Sequence, residues 1–96
     1  MPAFIVGRMQ IHNRDWMAEY FSQVPAIIEA YGGAFIVKGG DPVLLEGEET
    51  APDAAFILKF PSREAALNFW NSDAFAPLVT LRQTGATLEA QLYAGL

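Results

Sequence analysis

The sequence predicts an α+β sandwich: a four-stranded antiparallel sheet with helices on one face, in the order β–α–β–β–α–β. Three observations carry this. Four runs, Ala3 to Ile11, Ala34 to Lys38, Ala54 to Phe60 and Ala86 to Tyr93, are rich in β-branched and aromatic residues or alternate in polarity. The stretches after the first and third runs carry apolar residues at helical spacing. Glycine pairs, Gly32-Gly33 and Gly39-Gly40, flank the second run, as expected where a strand is entered and left through backbone that side chains would obstruct. This order is that of the ferredoxin-like split βαβ fold.

Each element follows from local chemistry. Asn13 or Asp15 can cap a first helix starting near Arg14. Trp16, Tyr20, Val24, Ile27 or Ile28 and Tyr31 recur on one side of it. Pro25 lacks an N–H, which predicts a kink or break near Ser22 to Val24. Gly32-Gly33 ends this helix as an αL-permissive cap, so at least one of the pair should have positive φ. The second strand can resume at Val43 to Glu46 after the Gly39-Gly40-Asp41-Pro42 interruption. Gly47 to Asp53 is a polar, acidic loop. Pro61-Ser62 opens a second helix, with Ser62 as N-cap and Glu64 in the first turn. Ala65, Ala66, Phe69 and Trp70 give it an apolar side. Ser72 or Asp73 can cap a further helical piece running to about Thr84, with Pro77 near its start and Gly85 at its stop. The chain holds one domain, residues 1–96, without repeats or linkers.

Strand parity separates two sheet faces. Ile5, Met9, Ile11, Phe56, Leu58, Phe60, Leu88, Ala90 and Leu92 form an apolar set for the helices to cover. Phe4, Val6, Arg8, Gln10, Ile57, Lys59, Thr87, Glu89, Gln91 and Tyr93 form a mixed set that nothing in the same chain covers in this fold. The composition bears on that face. In 96 residues, 52% are hydrophobic and 12% aromatic, while a chain this short buries only about 60–65% of its unfolded surface alone. A homodimer packed sheet to sheet accommodates both observations.

Charge and residue usage exclude several functions. Net charge is −5 and the pI is about 4.6. The six basic residues are scattered, so no nucleic acid is expected as partner. No apolar run is long enough for a membrane span, and the start has no basic n-region. The absence of cysteine excludes disulfides, thiol catalysis and thiolate metal sites. These features fit a cytoplasmic protein that needs no cofactor or metal.

In order along the chain stand Met1-Pro2-Ala3, Tyr20, Val24-Pro25, Ala30-Tyr31-Gly32-Gly33, Lys38-Gly39-Gly40, Leu45-Glu46-Gly47, Phe60-Pro61-Ser62, Ala65-Ala66, Phe69-Trp70 and Arg82. Together these resemble the small bacterial proteins of the domain-of-unknown-function 1330 family over nearly the whole length. The resemblance implies a ferredoxin-like subunit that pairs as a dimeric α/β barrel, and it implies no established reaction. Similar proteins often carry a basic residue where this chain has Ala34 and Tyr where it has Phe75. No role needing a cation or a phenol at those positions is carried over.

The candidate site residues are few. His12, the only histidine, reads as a surface or capping residue at the end of the first strand. Glu46, Glu48, Glu49 and Asp53 read as a solvated acidic loop, with Glu46 set apart by the family pattern as a partner for Lys38 or Arg82, or as a base. Lys38-Gly39-Gly40 reads as a bulge or turn, or as an anion-binding nest. Trp16, Tyr20, Tyr31, Phe69, Trp70 and Phe75 read mainly as core. A pocket between helices and sheet, walled by Trp70 and Tyr31 with Arg82 or Lys38 at its mouth, would suit a small aromatic or carboxylated ligand.

Two functions fit. The first is a small-molecule enzyme resembling the cofactor-free monooxygenases or isomerases of the dimeric barrel fold. There Glu46 would transfer a proton and Arg82 or Lys38 would hold an oxyanion. The second is a non-catalytic ligand-binding or stress-related module. Lys38, Glu46 and Arg82 are expected to meet, at least two of them, at one end of the helix–sheet cleft.

Overall fold

The computed structural model describes residues 1–48 and 50–96; Glu49, grouped above with the acidic loop, lies outside the described residues. Strand β1 (Ala3–Ile11) leads through helix α1 (Met17–Ala30) to β2 (Ala34–Gly40). Then come β3 (Ala54–Phe60), helices α2 (Arg63–Trp70) and α3 (Ala76–Gln83), and β4 (Ala86–Ala94). The sheet order is β2-β3-β1-β4, and every neighbouring pair is antiparallel. This is the ferredoxin-like arrangement expected. The subunit measures 35 × 34 × 16 Å, a thickness that holds one sheet and one layer of helices.

The core lies between these layers. Ile5, Met9, Leu58, Phe60 and Ala86 from the sheet meet Trp16, Tyr20, Val24 and Ile28 of the α1 side. Ala66, Phe69, Phe75 and Leu78 close it from the other helical segments. Phe69 stacks on both Phe60 and Phe75, with centroids 5.4 and 4.4 Å apart. Gly7 is required by this packing: a Cβ there would lie 2.1 Å from the Phe56 ring, which covers it from the paired strand. Phe4, Val6, Ile57, Val37 and Tyr93 share the opposite face of the sheet, which no helix among the described residues covers; part of the 42–52 segment approaches that face near Arg8.

Several local expectations needed correction. α1 is one continuous helix through Pro25. Pro25 gives up one intrahelical N–H donor, while Tyr20, Val24 and Ile28 hold both halves of the helix on the sheet. The helix starts at Met17, after Trp16, with no side-chain cap; Asn13 Oδ1 instead accepts from the Asp15 N–H at 3.2 Å. Gly32 ends α1 with φ +83°, as the glycine pair predicted. Ser62 caps α2, its Oγ accepting from Ala65 N–H at 3.1 Å. Ser72 takes the analogous part before α3, accepting from Phe75 N–H at 3.2 Å. β2 extends to Gly40 and does not resume at Val43 to Glu46, where Val43, Leu44 and Leu45 stand exposed.

The bulge also falls earlier than the glycine pair. The β2–β3 register shifts between Phe35 and Val37, and Gly39 and Gly40 pair regularly with Ala55 and Ala54. One inserted residue swaps the faces of everything after it. Regular alternation from Phe35 would send Lys38 to the open face; the bulge puts it opposite Phe56, on the helix side.

Candidate functional site

A cavity of about 350 Å³ lies between α1, the β2–β3 half of the sheet and the α2–α3 corner. That is within the range of small-ligand sites, about 300–1,000 Å³. Its walls are mainly apolar: Tyr20, Phe21, Phe35, Phe56, Trp70 and Phe75 supply rings, and Met9, Met17, Val24 and Leu58 fill between them. Arg14, Lys38 and Arg82 are its basic lining residues, and Asp41 and Asp53 its acidic ones. The protein is acidic overall, yet cations are in the majority along this cavity.

Arg82 is the unusual member. It sits in the last turn of α3, four residues after buried Leu78, on the stripe that faces inward. Only 4% of it is exposed. One Nη1–H donates to Tyr20 Oη at 3.0 Å. The guanidinium carbon lies 5.8 Å from the Tyr20 ring centroid and 6.0 Å from those of Trp70 and Phe75. Nε is buried without a hydrogen-bond partner. Among the described residues no carboxylate pairs with Arg82. Helix C-terminus and aromatic faces favour a cation, but neither replaces a counter-ion in a low-dielectric site.

Tyr20 reaches the same place from α1, on the turn between Trp16 and Val24. Its phenol is held above the ordinary tyrosine range by burial; the Arg82 charge and hydrogen bond pull the other way without cancelling it. Lys38 stands exposed at the rim, its Nζ 4.1 Å from the Phe21 centroid and 5.5 Å from that of Phe35. Asp53 Oδ2 is engaged by Ile11 N–H at 2.8 Å.

The expected site residues therefore divide. Arg82, Lys38 and Trp70 line one cavity, Arg82 as an interior residue rather than at the mouth. Tyr31 does not line it; its ring packs edge-on against Phe69, 6.3 Å away. Glu46 is exposed on the segment between β2 and β3, beside a separate surface depression that includes Arg8 and Pro52. Within the subunit it meets neither Lys38 nor Arg82. His12 is exposed, with Nε2 2.9 Å from Thr87 Oγ1. Among the described residues no three histidine, aspartate or glutamate side chains converge as a metal site, and no helix is long and apolar enough to cross a membrane. Tyr20 was absent from the expected site residues. The signal for it was positional: the Trp16–Tyr20–Val24–Ile28 stripe puts a phenol hydroxyl on a mainly apolar helix face.

A family model described as a domain of unknown function (DUF1330) matches residues 2–96. The chain belongs to that family. No curated protein matches it. Among solved structures, RPA0582 of Rhodopseudomonas palustris, a protein of unknown function, is similar at TM-score 0.82 and 18% identity, over 99% of this chain and 82% of that one. SnoaB of Streptomyces nogalater, a cofactor-independent oxygenase, is similar at TM-score 0.70 and 18% identity, over 99% and 93%. A hypothetical Arabidopsis thaliana protein, AT3G17210, is similar at TM-score 0.72 and 17% identity, over 99% and 88%. At these identities the likeness is one of fold, and the DUF1330 family has no assigned function.

Proposed function

We propose that this DUF1330 protein is a homodimer whose subunit cavity takes a small aromatic anion, a carboxylate, phenolate or enolate, with Arg82 as its counter-ion. One observation carries the reading: a guanidinium buried to 4% exposure, with an unpartnered Nε and no described carboxylate paired with it, lines an aromatic cavity of about 350 Å³. Isolating such a charge is costly, and an anionic guest would offset the cost by a charge-assisted contact. Lys38, over Phe21 at the rim, adds a long-range attraction for the same charge. The open sheet face, with Val6, Ile57 and Val37 paired across three strands, supports packing against a second copy.

The reaction class that suits the site is cofactor-free chemistry of an activated aromatic, oxygenation or isomerisation. An anion-stabilising cation in a mainly apolar cavity favours an electron-rich enolate or phenolate over its neutral form. The fold likeness to SnoaB, a cofactor-independent oxygenase, supports that class by analogy. Glu46 of the same subunit is given no part in it. A second reading, binding without turnover, is supported by the state of one lining carboxylate: Asp53 is held by Ile11 N–H.

Native mass spectrometry of the protein after equilibration with a panel of aromatic acids, phenols and their neutral isosteres tests the reading. Retention of anionic members by wild type and their loss from Arg82→Met is expected. Retention of neutral members alone, or equal retention by both proteins, would contradict it.

A further inference from the structure

The hydrogen bond between Arg82 and Tyr20 has a direction. Arg82 is a donor only, so Tyr20 Oη accepts, at 3.0 Å. The phenol keeps its own proton, and the described residues provide no acceptor for it. Tyr20 is 6% exposed and lines the cavity. The O–H is therefore free to donate into the cavity, and a guest oxygen held between the aromatic walls would take it.

We propose that Tyr20 donates a hydrogen bond from its O–H to the oxygen of the bound aromatic anion, and that Arg82, donating to the same phenol oxygen, positions and polarises that donor. This rests on the reading that the cavity takes such an anion. The Tyr20 O–H bond stays intact: the Arg82 Nη1–H donating to Oη at 3.0 Å polarises it, so the phenol donates more strongly to the guest oxygen. Glu46, on the outer β2–β3 segment, takes no part.

The arrangement also narrows the substrate. The donor and the guanidinium face the guest from two helices, α1 and α3. The oxygen they address must project from the edge of a flat ring system that lies between the aromatic walls. A phenol or an enolisable ketone fused to an aromatic system meets this; an aliphatic acid of the same charge does not fill the walls.

4-Nitrophenol, whose phenol and phenolate absorb at different wavelengths, serves as the probe. The other charged groups lining the cavity, Arg14, Lys38, Asp41 and Asp53, stay in place in every variant. Wild type should raise the phenolate-to-phenol ratio of bound probe at least tenfold over the free probe at the same pH. Tyr20→Phe should lower that ratio at least threefold while the probe still binds. Arg82→Met should abolish the enrichment. Should Tyr20→Phe fold poorly, the wild-type protein is followed by NMR, where the Tyr20 hydroxyl proton should shift downfield when 4-nitrophenol binds. Equal ratios, or no such shift, would show that Tyr20 does not touch the probe oxygen; the anion-binding reading would survive if enrichment still depended on Arg82. Failure of wild type to bind or to ionise the probe would overturn both.

Discussion

Replacing Arg82 by methionine separates a functional cation from a structural one. Methionine matches the arginine stem as far as Nε with an apolar, adaptable chain. The variant loses one charge-assisted hydrogen bond, worth about 1.5–3 kcal/mol, and weak attractions to rings 5.8–6.0 Å away, worth about 0.5–2 kcal/mol together. Against this it removes a buried ion whose effective desolvation penalty is several kcal/mol, and it removes the orphan Nε. The expected net effect is between zero and about 1 kcal/mol of added stability, an increase in Tm of up to about 8 °C for a domain of this size. Urea denaturation and calorimetry at fixed protein concentration measure it, because the apparent stability of the proposed dimer would depend on concentration. Ligand-free Arg82→Met that is destabilised by about 3 kcal/mol or more would refute the reasoning. It would mean that the guanidinium is tied into the fold and has a counter-charge of its own.

Three further outcomes follow from the same geometry. Ile57→Glu puts a charge between Val6 and Val37 on the open face. Light scattering should then report the mass of one chain where wild type gives two, and an unchanged mass would contradict a sheet-to-sheet pair. Gly32→Ala adds a Cβ at φ +83°, 3.3 Å from the Pro61 ring, and should cost about 1 kcal/mol or more in chemical denaturation; no loss would mean that the turn relaxes freely. For pH, the folded state favours neutral Tyr20, because burial raises its pKa. That stability is complete below the unfolded value of about 10 and is lost as pH rises from there through the folded value. Tyr20→Phe should accordingly lose less stability than wild type on titration above pH ~10, as followed by denaturant midpoints. Identical alkaline profiles would contradict the assignment.

What was legible in the sequence is what depends on alternation and spacing. The period-two strands give both sheet faces, and Gly32 and Ser62 mark their helix boundaries by conformational and hydrogen-bonding preference alone. Pro25 misleads because tertiary contacts of Tyr20, Val24 and Ile28 override a local defect. The bulge at Ile36 leaves no compositional mark, yet it decides the face on which Lys38 lies. Arg82 was identifiable as a site residue from the family pattern, and its Leu78–Arg82 spacing places it on the inner stripe. Its burial depth was not, since nothing local distinguishes a snorkelling arginine from an enclosed one. Tyr20 resembles ordinary core until a residue 62 positions away is found to donate to its hydroxyl. Glu46 shows the opposite error. Proximity in sequence to Lys38 suggested a meeting, but β2 ends at Gly40 and the exposed segment beyond it carries Glu46 away from the cavity.

The central claim is that the cavity selects an organic anion through Arg82. Isothermal titration calorimetry with 2-naphthoate and its neutral isostere 2-naphthamide, on wild type and Arg82→Met, tests it most directly. Wild type should bind the carboxylate at least tenfold more tightly than the amide, a difference of about 1.4 kcal/mol, and Arg82→Met should show no preference. Equal affinities in wild type, or a preference that survives in Arg82→Met, would contradict the account.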